Sequence, residues 1–417
     1  FGSLPQVIAD FQADNVRFIG SFPTLQEISI YTTQADNATL RDLWKAHYRA
    51  ILAANAVVAY TPDSPDETLT TEERNQYVAE AKFMRSLLMF QLVNLYAQPV
   101  NIGGEDALGI PIITDAFTGE ITNYTRNTVG EVHAFIINEL NEIVADLPDT
   151  YATSAFTRGR ATKGAANALL SRVHLYRGEW QLAAEKAKAV LDAEDIYGLA
   201  SNYNFWGENN SEYVFSIQNS EIDNGRTGSG GWGSYYNSAE DGGRGDAPFS
   251  DYLLEAYSAT DERLTALSKE NVNAEGVSLL YTTKFPDVVT HSDNSPIIRT
   301  TEVVLNRAEA LAQLSGINDE SLELINELRE RAGLDIFSAG DFDSSDAFIA
   351  QILEERRKEL AFEGHRRMDL LRNNLPLRPE GDTYFDESKP GENKTILPIP
   401  QRELDINTGL VQNPGYE

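Results

Sequence analysis

Three aromatic side chains, Trp232, Tyr235 and Tyr236, lie close together in a glycine-rich stretch at 224–246. Aromatic rings can stack on the C–H face of a sugar, while polar side chains bond its hydroxyls. Because the surrounding glycines cannot form a core, we predict a carbohydrate platform here, with Trp232 as the main stacking residue. An extended loop would turn only one of the two tyrosines toward the ligand. The alternative is that Trp232 folds back onto the body of the protein.

A second group of residues that could take part in catalysis lies in a charge-dense helical stretch at 352–373. Two of its carboxylates could act as the acid and the base of a hydrolytic reaction. Each carboxylate has a cation within three or four residues, however, which would keep it ionised rather than raise its pKa. We therefore predict a structural role, with a partly buried ladder of ion pairs along the helix. The charges concerned are Glu355, Arg356, Glu359, Glu363, Arg366, Asp369 and Arg372.

Other potential sites are weaker, and we predict neither a metal nor a cofactor. Gly228, Gly230 and Gly233 spell G-x-G-x-x-G, but no apolar strand precedes them, which argues against a dinucleotide site. The five histidines lack the spacing of metal ligands. Asp241 and Asp246 could hold calcium, although the spacing of a calcium loop is missing and solvated turn acids fit better. The absence of cysteine excludes disulfides and cysteine catalysis.

Composition and charge exclude several classes of function. With 417 residues, 41% of them hydrophobic and 24% charged, the chain is globular and can bury a large core. Its net charge of −30 argues against nucleic acid and against an anionic membrane surface, because both are polyanions. No apolar run is long enough to cross a membrane, and the N-terminus lacks the features of a signal peptide. Uncharged sugars remain compatible with this composition.

The elements that must position these residues are mostly helical. Capping boxes formed by Thr70 with Glu73 and by Thr128 with Glu131 predict the starts of two amphipathic helices. Their partners in helical hairpins are predicted at 43–60, 161–176, 176–195 and 308–334, and the last two resemble tetratricopeptide units. Such helix pairs bury their apolar faces only by stacking on one another, so they predict a scaffold.

The helical periodicity fades between 197 and 296, where Gly, Asn, Asp, Ser and aromatic residues dominate. We call this stretch the variable region and expect it to carry the binding site, because binding residues concentrate on loops. Trp206, near its start, is a further candidate for contact with a ligand. The Pro-punctuated ending at 396–416 predicts a strand-like end to the chain.

The motifs of this chain resemble those of the SusD/RagB family, the surface glycan-binding lipoproteins of Bacteroidetes. The family pattern ER..ELAFEG.R..DL.R begins at Glu355, and the closing P-I-P at 398–400 is followed by Q-N-P-G-Y at 412–416. Two further stretches, EAKFMRSLLMFQLVNLYAQPV at 80–100 and IIRTTEVVLNRAEALAQL at 297–314, resemble other family signatures. The resemblance covers about the whole chain and is weakest in residues 1–36.

The resemblance implies a mostly α, SusD-like fold in a single domain. Tetratricopeptide-like hairpins at about 38–195 and 297–373 would form the scaffold, the variable region would bind ligand, and 374–417 would be an extended C-terminal segment. In the family, the ligand platform combines the variable region with loops ahead of the first scaffold helix. The candidate residues in those loops are Asp14, Asn15, Arg17, Phe18, Phe22 and Tyr31.

The function that the resemblance implies is capture of a glycan and its delivery to a SusC-like TonB-dependent outer-membrane transporter, without catalysis. A lipid-modified cysteine would anchor the protein on the outer face of the outer membrane. That cysteine is missing here, and we interpret it as removed with the signal peptide. Because Arg226 and Arg244 are the only cations in the glycine-rich loop, we expect a neutral glycan, such as the β-glucan laminarin. The alternative is a helical glycoside hydrolase that uses two acidic loop residues.

Overall fold

The computed structural model describes residues 4–120, 122–224, 230–273 and 275–416. Its helices are α1 (Leu4–Gln12), α2 (Pro23–Ser29), α3 (Ala38–Tyr60), α4 (Thr71–Tyr96), α5 (Val100–Gly103), α6 (Val129–Ile143), α7 (Ser154–Gly159), α8 (Lys163–Tyr176), α9 (Trp180–Leu191), α10 (Trp232–Tyr236), α11 (Asp251–Leu254), α12 (Glu262–Thr265), α13 (Thr300–Ser315), α14 (Asp319–Arg331), α15 (Ser345–Glu359), α16 (Arg366–Arg372) and α17 (Gln401–Ile406). Its strands are β1 (Tyr213–Ile217), β2 (Ser268–Val272), β3 (Ser278–Thr282) and β4 (Ser295–Arg299). The prediction of a mostly α fold with short strands is confirmed.

Both predicted capping boxes start the helices that they were expected to start. The Glu73 amide donates to Thr70 Oγ1 at 3.1 Å, and Glu73 Oε2 accepts from the Thr70 amide at 2.9 Å, at the beginning of α4. Thr128 and Glu131 repeat this exchange at the beginning of α6. Although α4 is 26 residues long, no helix in the described part of the chain is both long and apolar enough to cross a membrane.

The scaffold helices pack against one another in part through small side chains. Helix α9 lies between α8 and α13, with Ala183 and Ala187 fully buried on its inner faces. Polar side chains tie the three helices together, since Ser171 donates to the carbonyl of Ala183 at 3.0 Å and Arg307 donates to that of Ala184 at 2.8 Å. The helix pairs occur where the sequence analysis predicted them. Their likeness to tetratricopeptide units stays a prediction, as does the division into scaffold, variable region and C-terminal segment.

Two short antiparallel sheets and an irregular ending complete the fold. Strand β1 pairs with β4, which leads directly into α13, and β2 pairs with β3 as a hairpin. The strand-like ending that the sequence predicted at 396–416 is wrong, because the described part of this ending contains helix α17 and no strand. Side-chain hydrogen bonds hold this ending in place. For example, Asn413 Nδ2 donates to the carbonyls of Tyr96 and Leu397.

The charge-dense stretch at 352–373 is not a single helix. Helix α15 ends at Glu359 and α16 begins at Arg366, and between them Phe362 and Gly364 take positive φ angles of 67° and 78°. The chain turns here against α1, where a Cβ on residue 364 would lie 2.5 Å from the Cα of Gln6. Most of its charges therefore pair with other segments, and the predicted ladder along one helix is wrong.

These distant ion pairs are fully enclosed by the protein. Glu363 accepts from Arg299 Nε at 2.7 Å and from Lys284 Nζ at 2.8 Å, and Arg372 is paired with Glu309 on α13. Burial alone would raise the pKa of Glu363, but the Arg299 guanidinium and the Lys284 ammonium hold that pKa below its ordinary value. Glu363 is thus ionised although protein surrounds it, which agrees with the structural role predicted for this stretch.

Candidate functional site

The N-terminal loop and the variable region meet along paired backbone segments. The amide of Arg17 donates to the carbonyl of Pro248 at 3.1 Å, and the amide of Ile19 donates to that of Asp246 at 2.9 Å. The amide of Ser250 in turn donates to the carbonyl of Asn15 at 3.1 Å. These bonds join two parts of the chain that lie more than two hundred residues apart, and together they border a cavity.

This cavity has a volume of about 530 Å³ and is formed by three segments of the chain. Such a volume falls within the range of pockets that bind small molecules. Its buried residues are Val16, Ser29, Ser250 and Arg378, its half-buried residues include Phe18, Tyr252, Asp382 and Tyr384, and its exposed residues are Arg17, Asp251 and Glu255. We call it the N-terminal cavity.

The N-terminal cavity combines aromatic rings with hydrogen-bonding groups held in place. Arg378, only 7% exposed, donates from Nη2 to the carbonyls of Phe11 at 2.8 Å and Ser29 at 3.2 Å. Asp382 accepts from the amide of Tyr384 at 2.9 Å, which orients this carboxylate beside the ring. The rings can stack on an apolar face, and the carboxylate and guanidinium groups can bond hydroxyls around it. This arrangement suits a sugar.

Three predicted residues lie in or under the N-terminal cavity. Arg17 is exposed in its wall, and Phe18 lines it with the ring centroid 4.9 Å from that of Phe11. Tyr31 is buried beneath it, 6.3 Å from the ring of Tyr384, and donates its hydroxyl to the carbonyl of Gln12. Arg17 and Phe18 are thus placed for contact with a ligand, whereas Tyr31 supports the cavity from below.

Trp232 does not form an exposed platform. Its side chain is only 5% exposed and packs edge-on against Phe285, with ring centroids 4.5 Å apart. The hollow beside it has a volume of about 20 Å³, which is the size of a single water molecule rather than a sugar ring. The interpretation of Trp232 as a loop ring outside the core is therefore wrong, because it folds back onto the body of the protein. Its part in ligand binding stays a prediction.

The two tyrosines beside Trp232 are also buried, because residues 232–236 form a short helix instead of an extended loop. The alternation expected for an extended loop is therefore wrong. Tyr235 contacts the guanidinium of Arg244, which lies 4.7 Å from its ring centroid and 4.3 Å from that of Phe22. Phe22 is 58% exposed and covers the outer side of this guanidinium. Of the aromatic residues predicted to bind ligand, Phe22 presents the most open ring.

Tyr236 is fully buried and joins the variable region to α1. Its hydroxyl donates to Asp10 Oδ2 at 2.5 Å, while Asp10 Oδ1 accepts from the amide of Gly364 at 3.2 Å. Burial raises the pKa of Asp10 from its ordinary value of 3.8 to about 7, against the opposing effect of these two hydrogen bonds. The nearby charges are Glu363, which raises this pKa, and Lys284, which lowers it.

Asp10 should make the stability of the protein depend on pH. Because its pKa is higher in the folded state, the contribution of Asp10 is fully present below about pH 4 and is lost as the pH rises to about 7. We compare the free energy of unfolding of Asp10→Asn with that of the wild type. We expect this difference to rise in favour of the variant by about 2 kcal/mol between about pH 5 and pH 8. Denaturant unfolding of both proteins at the two pH values measures this difference. An equal difference at both would contradict the assignment.

The side chains of the remaining predicted residues make contacts inside the protein. Asp14 is buried and accepts from Arg366 Nε at 2.7 Å, and Asn15 is buried and accepts from Arg357 Nε at 2.9 Å. Trp206 is half-buried, with the guanidinium of Arg299 5.0 Å from its ring centroid. The side chains of Asp14, Asn15 and Trp206 thus make structural contacts, and none of the three residues lines the N-terminal cavity.

The sequence analysis missed most of the residues that line the N-terminal cavity, among them Tyr252, Arg378, Asp382 and Tyr384. They come from the short helix α11 and from a loop at 378–384, more than a hundred residues apart, so no local spacing connects them. The available signal is an aspartate within two residues of each tyrosine, in polar and irregular surroundings. That signal is short and common, and only the fold brings the two segments together.

The two acids considered for calcium, Asp241 and Asp246, have protein partners. Asp241 binds Lys269 and also accepts from Ser238 Oγ at 3.0 Å, while Asp246 accepts from Arg244 Nε at 2.8 Å. Among the residues that the structure describes, no group of three or more acids and histidines has the arrangement of a metal site. Gly228 of the G-x-G-x-x-G match and Arg226 lie outside the described residues.

A second large hollow, of about 590 Å³, lies between α3 and α4. Its lining is mostly apolar, with Ala50, Ala54, Val57 and Met84 at its surface, and its polar groups come from Thr61, Tyr77 and Glu80. A sugar placed there would lose hydrogen bonds to water without gaining enough protein partners. Its chemistry therefore makes it a poorer carbohydrate site than the N-terminal cavity.

Comparison with known proteins agrees with this architecture. A family model described as the SusD family matches residues 267–416, and one described as starch-binding and associating with the outer membrane matches residues 4–175. The two models together match more than three quarters of the chain. The chain belongs to the SusD/RagB family. Its family is thus one of glycan-binding proteins that associate with the outer membrane.

Several SusD relatives share the full length of this chain. The SusD-like protein P2 of Formosa agariphila is 27% identical over 94% of this chain and 83% of its own length. A crystal structure of a SusD superfamily protein from Bacteroides thetaiotaomicron superposes with a TM-score of 0.87 at 26% identity, covering 98% of this chain and 94% of that one. A structure described as a laminarin-binding SusD-like protein has the same fold, with a TM-score of 0.79 at 24% identity over 99% of this chain and 94% of that one.

Proposed function

We propose that this SusD family protein binds a neutral glycan in the N-terminal cavity without cleaving it. The observation that carries the proposal is the meeting of Phe18, Tyr252 and Tyr384 with Arg378 and Asp382 around one space of about 530 Å³. Rings supply apolar contact with a sugar, and the charged groups exchange hydrogen bonds with its hydroxyls. The net gain from each hydroxyl is small, so specificity arises from the shape of the cavity.

The charges of the cavity favour an uncharged ligand. Its lining carries two cations, Arg17 and Arg378, and three carboxylates, Asp251, Glu255 and Asp382. A uronic acid or a sulfated sugar would meet this excess of carboxylates as well as the protein's overall charge of −30. We select the β-glucan laminarin as the first ligand to test, and we note that a relative of the same fold is described as binding it.

The proposed setting is the outer face of the outer membrane. An N-terminal lipid anchor would hold the protein above a SusC-like TonB-dependent transporter, which would receive the captured glycan. The membership of the SusD family supports this arrangement. The strongly acidic surface also opposes direct adsorption to anionic lipid, so attachment through a separate anchor is consistent with the charge.

A glycoside hydrolase is the competing function. It would require two carboxyl groups on either side of a sugar, one of them with a raised pKa. Asp10 has such a pKa, near 7, but it is buried against Tyr236 and Gly364 and does not line the N-terminal cavity. Binding without cleavage therefore accounts better for the groups that face the cavity.

Affinity electrophoresis tests the proposal and the placement of the site. We expect laminarin in the gel to retard the wild-type protein, and sulfated or uronic-acid polysaccharides to leave its mobility unchanged. Tyr384→Ala should weaken retention at least about tenfold, because a stacked ring buries apolar area on both partners. The control is Tyr60→Ala, which removes an exposed tyrosine from the end of α3.

Two results would contradict the proposal. Retention by the anionic polysaccharides alone would refute the neutral ligand. Normal retention of a folded Tyr384→Ala protein would move the site away from the N-terminal cavity. If laminarin fails while another neutral glycan in the panel retards the protein, the binding function stands and only the choice of laminarin is wrong.

A further inference from the structure

An apolar groove on the scaffold is separate from the candidate glycan site. It is the hollow of about 590 Å³ between α3 and α4, and we call it the α3–α4 groove. In the described part of the chain, it shares no lining residue with the N-terminal cavity. Of its lining residues, Ala54, Ala81 and Leu88 are buried, whereas Val57 and Tyr77 are each 38% exposed. The groove therefore reaches below the surface and is open to solvent.

The α3–α4 groove suits a helix better than an extended chain. Its lining residues recur at intervals of three and four along α3 from Ala50 and along α4 from Tyr77, so each helix contributes one face. The stretch from Ala50 to Thr61 rises roughly 17 Å, or about three helical turns. An extended chain needs backbone partners, and the backbone groups of α3 and α4 already bond within their own helices. A helix satisfies its own backbone and needs only side-chain contacts.

Inside the scaffold, a third helix covers a surface of the same kind. Helix α9 packs against both α8 and α13, and its Ala183 and Ala187 are fully buried there. Ala53 on α3 also lines a shallow apolar face, but it is exposed. Solvent thus lies over the α3–α4 pair where a third helix could pack, and burial of this apolar surface would favour association.

The end of the groove beside Thr61 is acidic. Residues 61–74 carry five carboxylates and one cation, Arg74, and the five exposed acids are Asp63, Asp66, Glu67, Glu72 and Glu73. Arg74 turns toward the backbone and donates to the carbonyls of Thr61 and Ser64 at 3.0 Å. Glu80 in the groove is already paired with Arg160 at 2.6 Å. This charge favours a cationic partner, and it opposes both a second copy of this chain, at −30, and an anionic lipid surface.

We propose that the α3–α4 groove docks a basic amphipathic helix of a partner protein. Apolar side chains of that helix would fill the space over Ala53 and Ala54, and its lysines or arginines would meet the acidic loop at 61–73. The proposal does not rest on glycan binding, because the groove and the N-terminal cavity are lined by different residues.

Fluorescence anisotropy with labelled peptides of about 18 residues, long enough to form a helix, tests this proposal on the full chain. The probe is a designed helix with leucine on one face and lysine on the other. One companion peptide has glutamate in place of lysine, and a second keeps the leucines and lysines of the probe but not their helical period. We expect only the probe to bind the wild type saturably.

Ala53→Arg should weaken binding of the probe at least about tenfold, because a long cationic side chain then enters the groove. Arginine is a good helix former, so the variant should fold as the wild type does. The matched control is Ala59→Arg, which adds the same charge at an exposed position of α3 that does not line the groove. We expect this control to change the affinity by less than about twofold.

A second variant tests the acidic end of the groove. Asp63→Asn combined with Glu67→Gln removes two exposed charges and leaves the lining of the groove intact. We expect it to weaken binding of the probe about threefold at low salt and by less at high salt, because salt screens exposed charges. Unchanged affinity at low salt would refute the basic character of the partner.

Other results would also overturn the proposal. Failure of the probe to bind, equal binding of either companion peptide, or equal affinity of Ala53→Arg and the wild type would show that the groove does not dock a basic amphipathic helix. A wild-type dimer in sedimentation that Ala53→Arg dissociates would assign the groove to a second copy of this chain. Binding to phosphatidylglycerol or phosphatidylcholine vesicles that Ala53→Arg abolishes would assign the groove to lipid.

Discussion

Replacing Arg356 by alanine is expected to lower the free energy of unfolding by about 3–5 kcal/mol. Arg356 is fully buried, donates from Nε to Asp369 at 2.8 Å and donates from Nη1 to Asn306 at 2.8 Å. Burial would raise the pKa of Asp369, but Arg356 and Arg372 hold it below its ordinary value. Without Arg356, the buried Asp369 carboxylate loses one of its two arginine partners and keeps Arg372. The side-chain oxygen of Asn306 loses the hydrogen bond that Arg356 donates. Chemical denaturation measures the effect.

The matched control is Lys188→Ala, which breaks the exposed ion pair with Asp192 on the surface of α9. An exposed pair of this kind contributes little, so we expect a change within about 0.5 kcal/mol. The structural role of the buried ion pairs would be contradicted if Arg356→Ala unfolded like the wild type and lost glycan binding. Such a result would assign the arginine to the ligand instead of to the fold.

Replacing Trp232 by alanine is expected to cost about 3–5 kcal/mol of stability, as truncation of a buried aromatic side chain usually does. The ring is 5% exposed and packs against Phe285, whose own ring lies 5.7 Å from that of Tyr236. The variant would leave a void in this cluster and loosen α10. Thermal and chemical unfolding measure the loss, and titration at a temperature where the variant is folded measures its affinity for glycan.

Phe22→Ala provides the control for stability, because Phe22 contacts the same Arg244 guanidinium as Tyr235 of α10. Phe22 is 58% exposed and contacts the Arg244 guanidinium, so its loss should change stability by less than about 1 kcal/mol. A Trp232→Ala variant that is as stable as the wild type but no longer binds glycan would restore the platform that the sequence suggested. If Trp232→Ala loses much of its stability while its folded fraction keeps its affinity for glycan, Trp232 is confirmed as a core residue.

The helices could be predicted because their signals are local. The capping boxes at Thr70 and Thr128 lie within four residues of their partners, and apolar spacing of three and four residues identifies the buried face. The break at 360–365 could not be predicted in this way. The break coincides with the packing of α1 against residue 364, a contact between segments more than 350 residues apart. It also coincides with charges whose partners lie on β4 and α13.

The candidate site could be predicted only in part, for a related reason. The sequence directed attention to the variable region and the loops before the scaffold, and the structure brings these together through bonds such as that from Arg17 to Pro248. It also suggested Trp232, because three aromatics among glycines resemble an exposed platform. Burial of that ring depends on Phe285, and the N-terminal cavity depends on Tyr252 and Tyr384, which no periodicity links.

The central claim is that the N-terminal cavity binds a neutral glycan and leaves it intact. The most direct test is isothermal titration with a laminarin-derived oligomer. The sugar is recovered from the calorimeter cell after several hours and its length is measured by chromatography. We predict saturable binding by the wild type, loss of that binding in Tyr384→Ala, and recovery of the oligomer at its original length. Shortened products that accumulate with time would instead show a hydrolase, and equal binding by the wild type and Tyr384→Ala would show that the glycan binds elsewhere.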